Sequence, residues 1–109
     1  MKQIKAFFQP HRINAVTDAL RNSGLCDITV GTRCQNITVS NVQRLYSSLD
    51  VIQQQYSLAL GEPVVGEIKL ELFCEDEVID ELAALITQAA KPGPGWVFVS
   101  DIGSATYIV

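Results

Sequence analysis

The stretch 35–66 constrains the fold most, because it is long and separates two segments that have the pattern of strands. Apolar and polar side chains alternate in Cys26–Cys34 and in Glu67–Cys74, which is the period of a half-buried strand. A connection longer than about 15 residues in a small domain is usually functional or disordered. We therefore predict a long loop at about 36–66.

This predicted loop contains few charges and many apolar side chains, so its composition is not that of a flexible linker. So much apolar surface indicates a segment that orders against another subunit, a ligand or a partner protein. The alternative is an additional helix packed on its own domain, because the spacing of the apolar residues is partly helical.

The residues before this loop predict a strand followed by a helix. Lys2–Phe8 alternates loosely and is closed by Pro10, which has no N–H to donate to a sheet. Apolar residues at helical spacing then predict a helix over 14–23, with Asn14 as its cap and Gly24 as its left-handed stop.

A second helix and a short strand are predicted after the loop. The acidic residues 75–77 suit a helix N-terminus, and an apolar stripe over Val78–Ala89 follows them. The sequence at Lys91 to Gly93 ends that helix. Trp96–Ser100 is predicted as a short buried strand, and Thr106–Val109 is the candidate for a last strand.

This order of elements predicts a fold class for one domain spanning residues 1–109. Two split βαβ halves give an α+β, ferredoxin-like βαββαβ sandwich, an antiparallel sheet with two helices on one face. We expect the other sheet face to be apolar and covered by further subunits. Charged residues make up 18% of the chain, against a usual share of about 25%, which also favours a homo-oligomer.

Charge and hydropathy exclude two classes of partner. The formal net charge of -4 argues against nucleic-acid binding, which needs a positive surface. No run of about 20 apolar residues is present, so we expect no membrane insertion. The N-terminus lacks the apolar core of a signal peptide, and we expect a cytoplasmic protein.

The three cysteines form no CxxC motif and cannot all pair with one another. Cys34 and Cys74 lie in predicted strands, where free cysteine behaves as a small hydrophobic residue. The functional alternative is a metal site with His11, but the spacing is not that of metal ligands. We therefore predict no metal site, and no catalytic residues, because no nucleophile has a base beside it.

Five short segments occur in a characteristic order: Met1–Ala6, Gln9-Pro10, Ile28–Val30, Ile68–Leu72 and Phe98-Val99. In this order they resemble the PII nitrogen-regulatory signalling proteins and their PII-like relatives. The resemblance covers about residues 1–34 and 67–102. It implies a ferredoxin-like protomer, a compact homotrimer and nucleotide sites in the clefts between protomers. It also implies a protruding loop, here 36–66, that grips transporters, enzymes or transcriptional regulators.

The resemblance assigns site residues one by one. Thr29 and Glu71 match family positions beside the adenine, although both could simply point outward from strands. The phosphate-binding loop shrinks to 92–96, in which Gly93 and Gly95 still let the backbone approach an anion. Lys91 is the nearby cation that remains. Trp96, in the place of the family's lysine, either stacks on a base or is a core indole.

The departures from the family pattern change the expected effector. Pro92 and Pro94 remove two N–H donors, and the family's C-terminal arginines are replaced by Tyr107 and Val109. A triphosphate needs cations and donors, so we expect AMP or ADP as the effector, with bicarbonate or another small anion second. Glu67 replaces the loop-ending lysine, which should repel 2-oxoglutarate.

The resulting prediction is a trimeric regulator and no enzyme. An effector between protomers would bias the 36–66 loop, which would engage a membrane transporter or enzyme. The predicted partner-binding residues are Leu45, Tyr46 and Tyr56. The alternative function is a metal-responsive trimer resembling the divalent-cation-tolerance proteins, using Cys34, Cys74 or His11. A ferredoxin-fold enzyme is a third possibility.

Overall fold

The computed structural model describes residues 1–26, 33–47 and 54–109. These residues form an antiparallel sheet and two helices. The elements are β1 (Lys2–Phe8), α1 (Ile13–Asn22), β2 (Cys34–Leu45), β3 (Gln55–Ser57), β4 (Glu62–Cys74), α2 (Ile79–Ala90) and β5 (Trp96–Asp101).

The four long strands are ordered β2-β4-β1-β5 across the sheet, and every pairing is antiparallel. If only the long strands are numbered along the chain, their order across the sheet is second, third, first, fourth. Two split βαβ halves produce this arrangement, so the predicted ferredoxin-like fold is confirmed. The short β3 pairs with the beginning of β4, beyond the end of β1.

The core lies between the sheet and the two helices. Alternation along β1 and β4 turns one set of side chains inward, where they meet the apolar stripes of α1 and α2. The largest buried side chains of this core are Ile4, Phe8, Val16, Leu20, Leu70, Leu72, Leu82 and Ile86.

The helix ends are mostly as predicted. Gly24 follows α1 with φ +73°, the left-handed conformation expected of a helix stop. The predicted cap Asn14 is wrong, because a 3-10 turn at Pro10–Arg12 leads directly into α1 and Arg12 occupies the cap position.

The predicted strand Cys26–Cys34 falls mainly on residues 27–32, which lie outside the described part of the chain. Of the described residues, Cys26 is in no strand and Cys34 begins β2. The segment 36–66, which was expected to be a loop, departs further from its prediction. Its described residues contain most of β2, all of β3 and the first part of β4.

These strands extend the sheet into what we call the arm, the described residues 42–47 and 54–67. The arm lies beyond the end of β1, whose pairing with β4 stops at Ile68. The radius of gyration is 15.1 Å, against about 13 Å for a compact chain of this length. The longest dimension is 41 Å. The molecule is therefore elongated.

Two further predictions are wrong. Residues 102–109 contain no regular strand, and Tyr107 and Ile108 are exposed. The sheet face opposite the helices is not plainly apolar, because alternation places charged residues between its aromatic ones. Its side chains include Lys5, Phe7, Glu67, Lys69, Glu71, Trp96 and Phe98.

Candidate functional site

The turn between α2 and β5 forms one wall of an open pocket of about 320 Å³. Its other walls are the end of β1 and the last turn of α2. Four of the six residues predicted from sequence line this pocket: Lys91, Gly93, Gly95 and Trp96. The residues assigned to the shortened phosphate loop therefore face a pocket that β1 and α2 complete.

Both glycines of this turn have a structural reason that needs no ligand. Gly93 has φ +122°, a backbone conformation that residues with a side chain rarely adopt, and it lies against the Gln9 side chain. A Cβ at Gly95 would clash with the Phe7 carbonyl oxygen. The turn is thus built to run close to β1, and the same absence of side chains leaves its backbone accessible.

Trp96 is not a core residue, so the interpretation as a buried indole is wrong. Its side chain is 67% exposed and stacks on Phe98, with ring centroids 5.7 Å apart and an interplanar angle of 15°. Phe7 meets Phe98 edge to face at 6.1 Å. These rings form an aromatic surface at the border of the pocket.

A second pocket, of about 480 Å³, lies on the sheet face opposite the helices. It shares Phe7 and Trp96 with the first pocket, so the two adjoin. Three cations lie in its walls, namely Lys5, Arg44 and Lys69. Lys5 forms no ion pair with any described residue. Positive groups beside an aromatic wall suit an anion that carries a flat ring.

Glu67 lies in the same pocket and is only 2% exposed. Arg44 reaches it from β2, with Nε 3.0 Å from Oε1 of the carboxylate. The negative charge that was expected to repel a dicarboxylate is therefore paired within the arm. A buried carboxylate needs such a partner.

Glu71 does not line either pocket. It lies on β4, where Gln3 Nε2 donates to one carboxylate oxygen at 3.0 Å and Lys69 Nζ lies 3.1 Å from the other. Thr29, its predicted companion at the adenine, lies outside the described residues. Of the predicted adenine residues only Glu71 is described, and it is not among the residues that line the pocket at the 91–96 turn.

The three predicted partner-binding residues converge at the start of β4. Leu45 is the Cα partner of Val64, Tyr56 is the Cα partner of Pro63, and the Tyr46 N–H donates to the Pro63 carbonyl at 3.0 Å. Leu45 and Tyr56 are 56% and 64% exposed. The end of the arm therefore presents apolar and aromatic side chains to solvent.

The interpretation of Cys34 and Cys74 as free cysteines in strands is right for Cys74 and wrong for Cys34. Cys26 and Cys34 form a disulfide, with Cα atoms 5.0 Å apart, which is within the usual range. Cys74 is free and buried, as predicted. Burial raises the pKa of the Cys74 thiol, and Asp76 adds to that rise.

His11 is exposed, which confirms its interpretation as a surface histidine. Across the described ranges, no group of three or more His, Cys, Asp or Glu side chains is arranged to hold a metal ion. In the same ranges no helix has the length and apolar character required to cross a bilayer.

Sequence reasoning missed three residues of the second pocket, namely Lys5, Arg44 and Lys69. Lys5 and Lys69 could have been found from the alternation of their strands, which places both on the face away from the core. Arg44 gave no such signal, because its segment was interpreted as loop.

Comparison with known proteins gives a consistent result. The family model for nitrogen regulatory protein P-II matches residues 1–108. Nitrogen regulatory protein P-II of Porphyra purpurea is 27% identical over 106 residues, which cover 94% of this chain and 86% of the relative. That of Pyropia yezoensis is 28% identical over the same shares. Nitrogen regulatory protein P-II 2 of Methanothermobacter thermautotrophicus is 23% identical over 111 residues, 99% and 89% of the two chains.

Proposed function

The chain belongs to the nitrogen regulatory protein P-II family, and we propose that it is a homotrimer that binds a small effector between protomers and controls a target protein. It is a P-II-like regulatory protein at the level that the family supports. The effector, the trimer and the target are the proposal.

One observation carries the effector site: the predicted phosphate loop, with Lys91, Gly93, Gly95 and Trp96, lines a pocket that adjoins a cation-lined one. Lys91 and the backbone of Gly93–Gly95 would face the anionic part of the effector. Trp96 lines both pockets, and its exposed ring would stack on a base.

The separation of Glu71 from this turn supports a site between protomers. Glu71 lines neither pocket of its own chain, so a neighbouring protomer would bring its Glu71 to the turn, with Thr29 beside it as the family resemblance implies. The exposed aromatic and charged sheet face offers a surface for that neighbour. Formation of a trimer would then complete the site with residues of the neighbouring protomer, as the family resemblance implies.

The charges of the first pocket favour an effector with few phosphates. Lys91 is the cation in its walls, and Pro92 and Pro94 donate no N–H groups. AMP or ADP is the effector we propose first, and bicarbonate or another small anion is second.

The arm is the proposed target-binding element. Leu45, Tyr46 and Tyr56 are held together at its end, and Leu58 beside them is 90% exposed. Exposed apolar groups on an extended element are typical of a protein-binding surface. We propose a membrane transporter or an enzyme as the target, and an effector acts by favouring one arrangement of the arm.

Calorimetry with AMP, ADP, ATP and bicarbonate tests the effector. We expect ATP to bind no more tightly than ADP. Lys91→Gln should lower nucleotide affinity about tenfold, the loss of one charge-assisted hydrogen bond. Trp96→Ala should cost about 1–3 kcal/mol of stacking. Arg21→Gln, which removes an exposed charge on α1, is the matched control. A strong ATP preference, or equal losses in all three variants, would contradict the proposal.

Light scattering tests the trimer, and a mass of one protomer at micromolar concentration would refute it.

The arm is tested by replacing Tyr46–Pro63 with Asn-Gly, a two-residue turn that joins the paired residues Leu45 and Val64. This variant should remain trimeric and bind nucleotide, but lose its target. Retained target binding would place the partner surface elsewhere.

The metal-responsive alternative gains no supporting observation. The Cys34 sulfur is bonded to Cys26, and Cys74 is buried with a raised thiol pKa. Zinc titration of the chain and of Cys74→Ser decides between the two functions, and equal affinities would exclude a metal site at Cys74.

A further inference from the structure

Three cysteines lie together at the end of the core where β2 begins. Cys26, Cys34 and Cys74 are 3%, 1% and 1% exposed and belong to one buried cluster. Cys26 and Cys34 are joined, and Cys74 carries a free thiol. A thiol beside a disulfide is the minimal arrangement for exchange.

The strand register places the free thiol opposite one sulfur of the disulfide. Cys34 is the Cα partner of Cys74 in the β2–β4 ladder. Directly opposite residues in antiparallel strands have Cα atoms about 4.5–5.5 Å apart. That separation is within the range in which two cysteines form a disulfide. Cys34 therefore has two bonding partners within reach, Cys26 and Cys74.

The strand ends are held together without any sulfur bond. The Glu75 N–H donates to the Arg33 carbonyl at 3.2 Å, and Arg33 Nε lies 3.5 Å from the Glu75 carboxylate. The register at Cys34 is thus maintained when a disulfide breaks, so exchange needs no rearrangement of the ladder.

We propose that the protein exchanges its disulfide between Cys26–Cys34 and Cys34–Cys74. The Cys74 thiolate attacks Cys34 Sγ, the Cys34–Cys74 bond forms, and the Cys26–Cys34 bond breaks. Cys26 leaves as a thiolate and takes up a proton equivalent to the one that Cys74 released. One disulfide and one thiol are present before and after, so no oxidant or reductant is consumed.

The exchange moves a covalent link from a local segment to the end of the β2–β4 ladder that lies opposite the arm. In the first isomer the link closes the segment between Cys26 and Cys34. In the second it joins β2 to β4 directly. An effect of this link on target binding would rest on the proposed function of the arm, whereas the exchange itself does not.

Disulfide mapping tests the exchange, because trypsin separates the three cysteines. After thiols are blocked with N-ethylmaleimide, cleavage yields Cys26 on 22–33, Cys34 on 34–44 and Cys74 on 70–109. In native buffer at pH 8 without reductant we expect a major pair, 22–33 with 34–44, and a second pair, 34–44 with 70–109. The second pair should be lost in Cys74→Ser. Its absence from the native protein, or its appearance only in urea, would overturn the proposal.

A variant without Cys26 tests whether Cys34 and Cys74 can form a bond, whatever the rate of exchange. Cys26→Ser leaves the thiols of Cys34 and Cys74. Oxidised glutathione should convert these two thiols into one disulfide, so that no titratable thiol remains. The circular dichroism spectrum should not change. Glutathione adducts on both cysteines of the folded variant would overturn the proposal. If this variant does not fold, mapping of the unmodified chain decides by itself. Both readouts are independent of effector and target binding.

Discussion

The core and the arm share one strand, β4, but they are stabilised differently. From Ile68 to Cys74 this strand turns one face to the helices, and its inward side chains are buried in a single cluster. Before Ile68 it lies in the arm, where the neighbouring residues Val64 and Val65 are both buried while Leu45 and Tyr56 are exposed. A strand stabilised by one large core and a strand stabilised by local contacts should respond differently to the same change.

The largest contrast is expected from leucine truncation. Leu72 is fully buried in the core, and Leu72→Ala should destabilise the protein by about 2–5 kcal/mol through lost burial and a residual cavity. Leu58 in the arm is 90% exposed, and Leu58→Ala should change stability by less than about 0.5 kcal/mol. Urea unfolding measures both. An equal loss from Leu58→Ala would contradict the exposed position of Leu58 in the arm.

A smaller effect is expected at the ion pair in the arm. Arg44→Ala leaves the Glu67 carboxylate buried without this partner, at a cost of about 1–3 kcal/mol. Arg44→Ala with Glu67→Gln should recover part of that loss, because no charge remains to be paired. Hydrogen exchange should show the loss in β2 and the first half of β4. Loss of protection in β1 would contradict a local effect.

The smallest effect, and the most direct comparison, comes from two matched glycines. Gly24 after α1 and Gly61 in the arm have φ +73° and +69°, and a Cβ at either would meet no atom within 4 Å. Alanine at each therefore costs only backbone strain, about 1–2 kcal/mol. We expect Gly24→Ala to lower global stability and Gly61→Ala to affect only exchange within the arm. A global loss from Gly61→Ala would extend the cooperative unit into the arm.

The contrast between the core and the arm also explains which strands and helices could be predicted from the sequence. Lys2–Phe8 and both helices follow the prediction because a single buried face imposes a periodic apolar pattern. Trp96–Ser100 is a strand as predicted, but its predicted burial is wrong, because most of its side chains are exposed. In β2, buried positions do not alternate with exposed ones, since most of its side chains are exposed on both faces. The consecutive burial of Val64 and Val65 breaks the period in β4. Strands of this kind resemble loops in sequence.

The candidate site was predictable where it is local in the chain. Lys91, Gly93, Gly95 and Trp96 are neighbours in sequence, so the family resemblance located them together. Lys5 and Arg44 come from different strands, and their position beside Lys69 depends on which strands pair and in what register. Register follows from the whole fold and not from any one segment.

The exposed stacking of Trp96 on Phe98 has a practical consequence, because the chain contains one tryptophan. All indole fluorescence originates at the border of the two pockets, outside the apolar interior. Its emission wavelength should shift to the blue when a neighbouring protomer or a small molecule excludes water from that ring. An unlabelled solution of the protein thus carries its own optical reporter for the border of the two pockets.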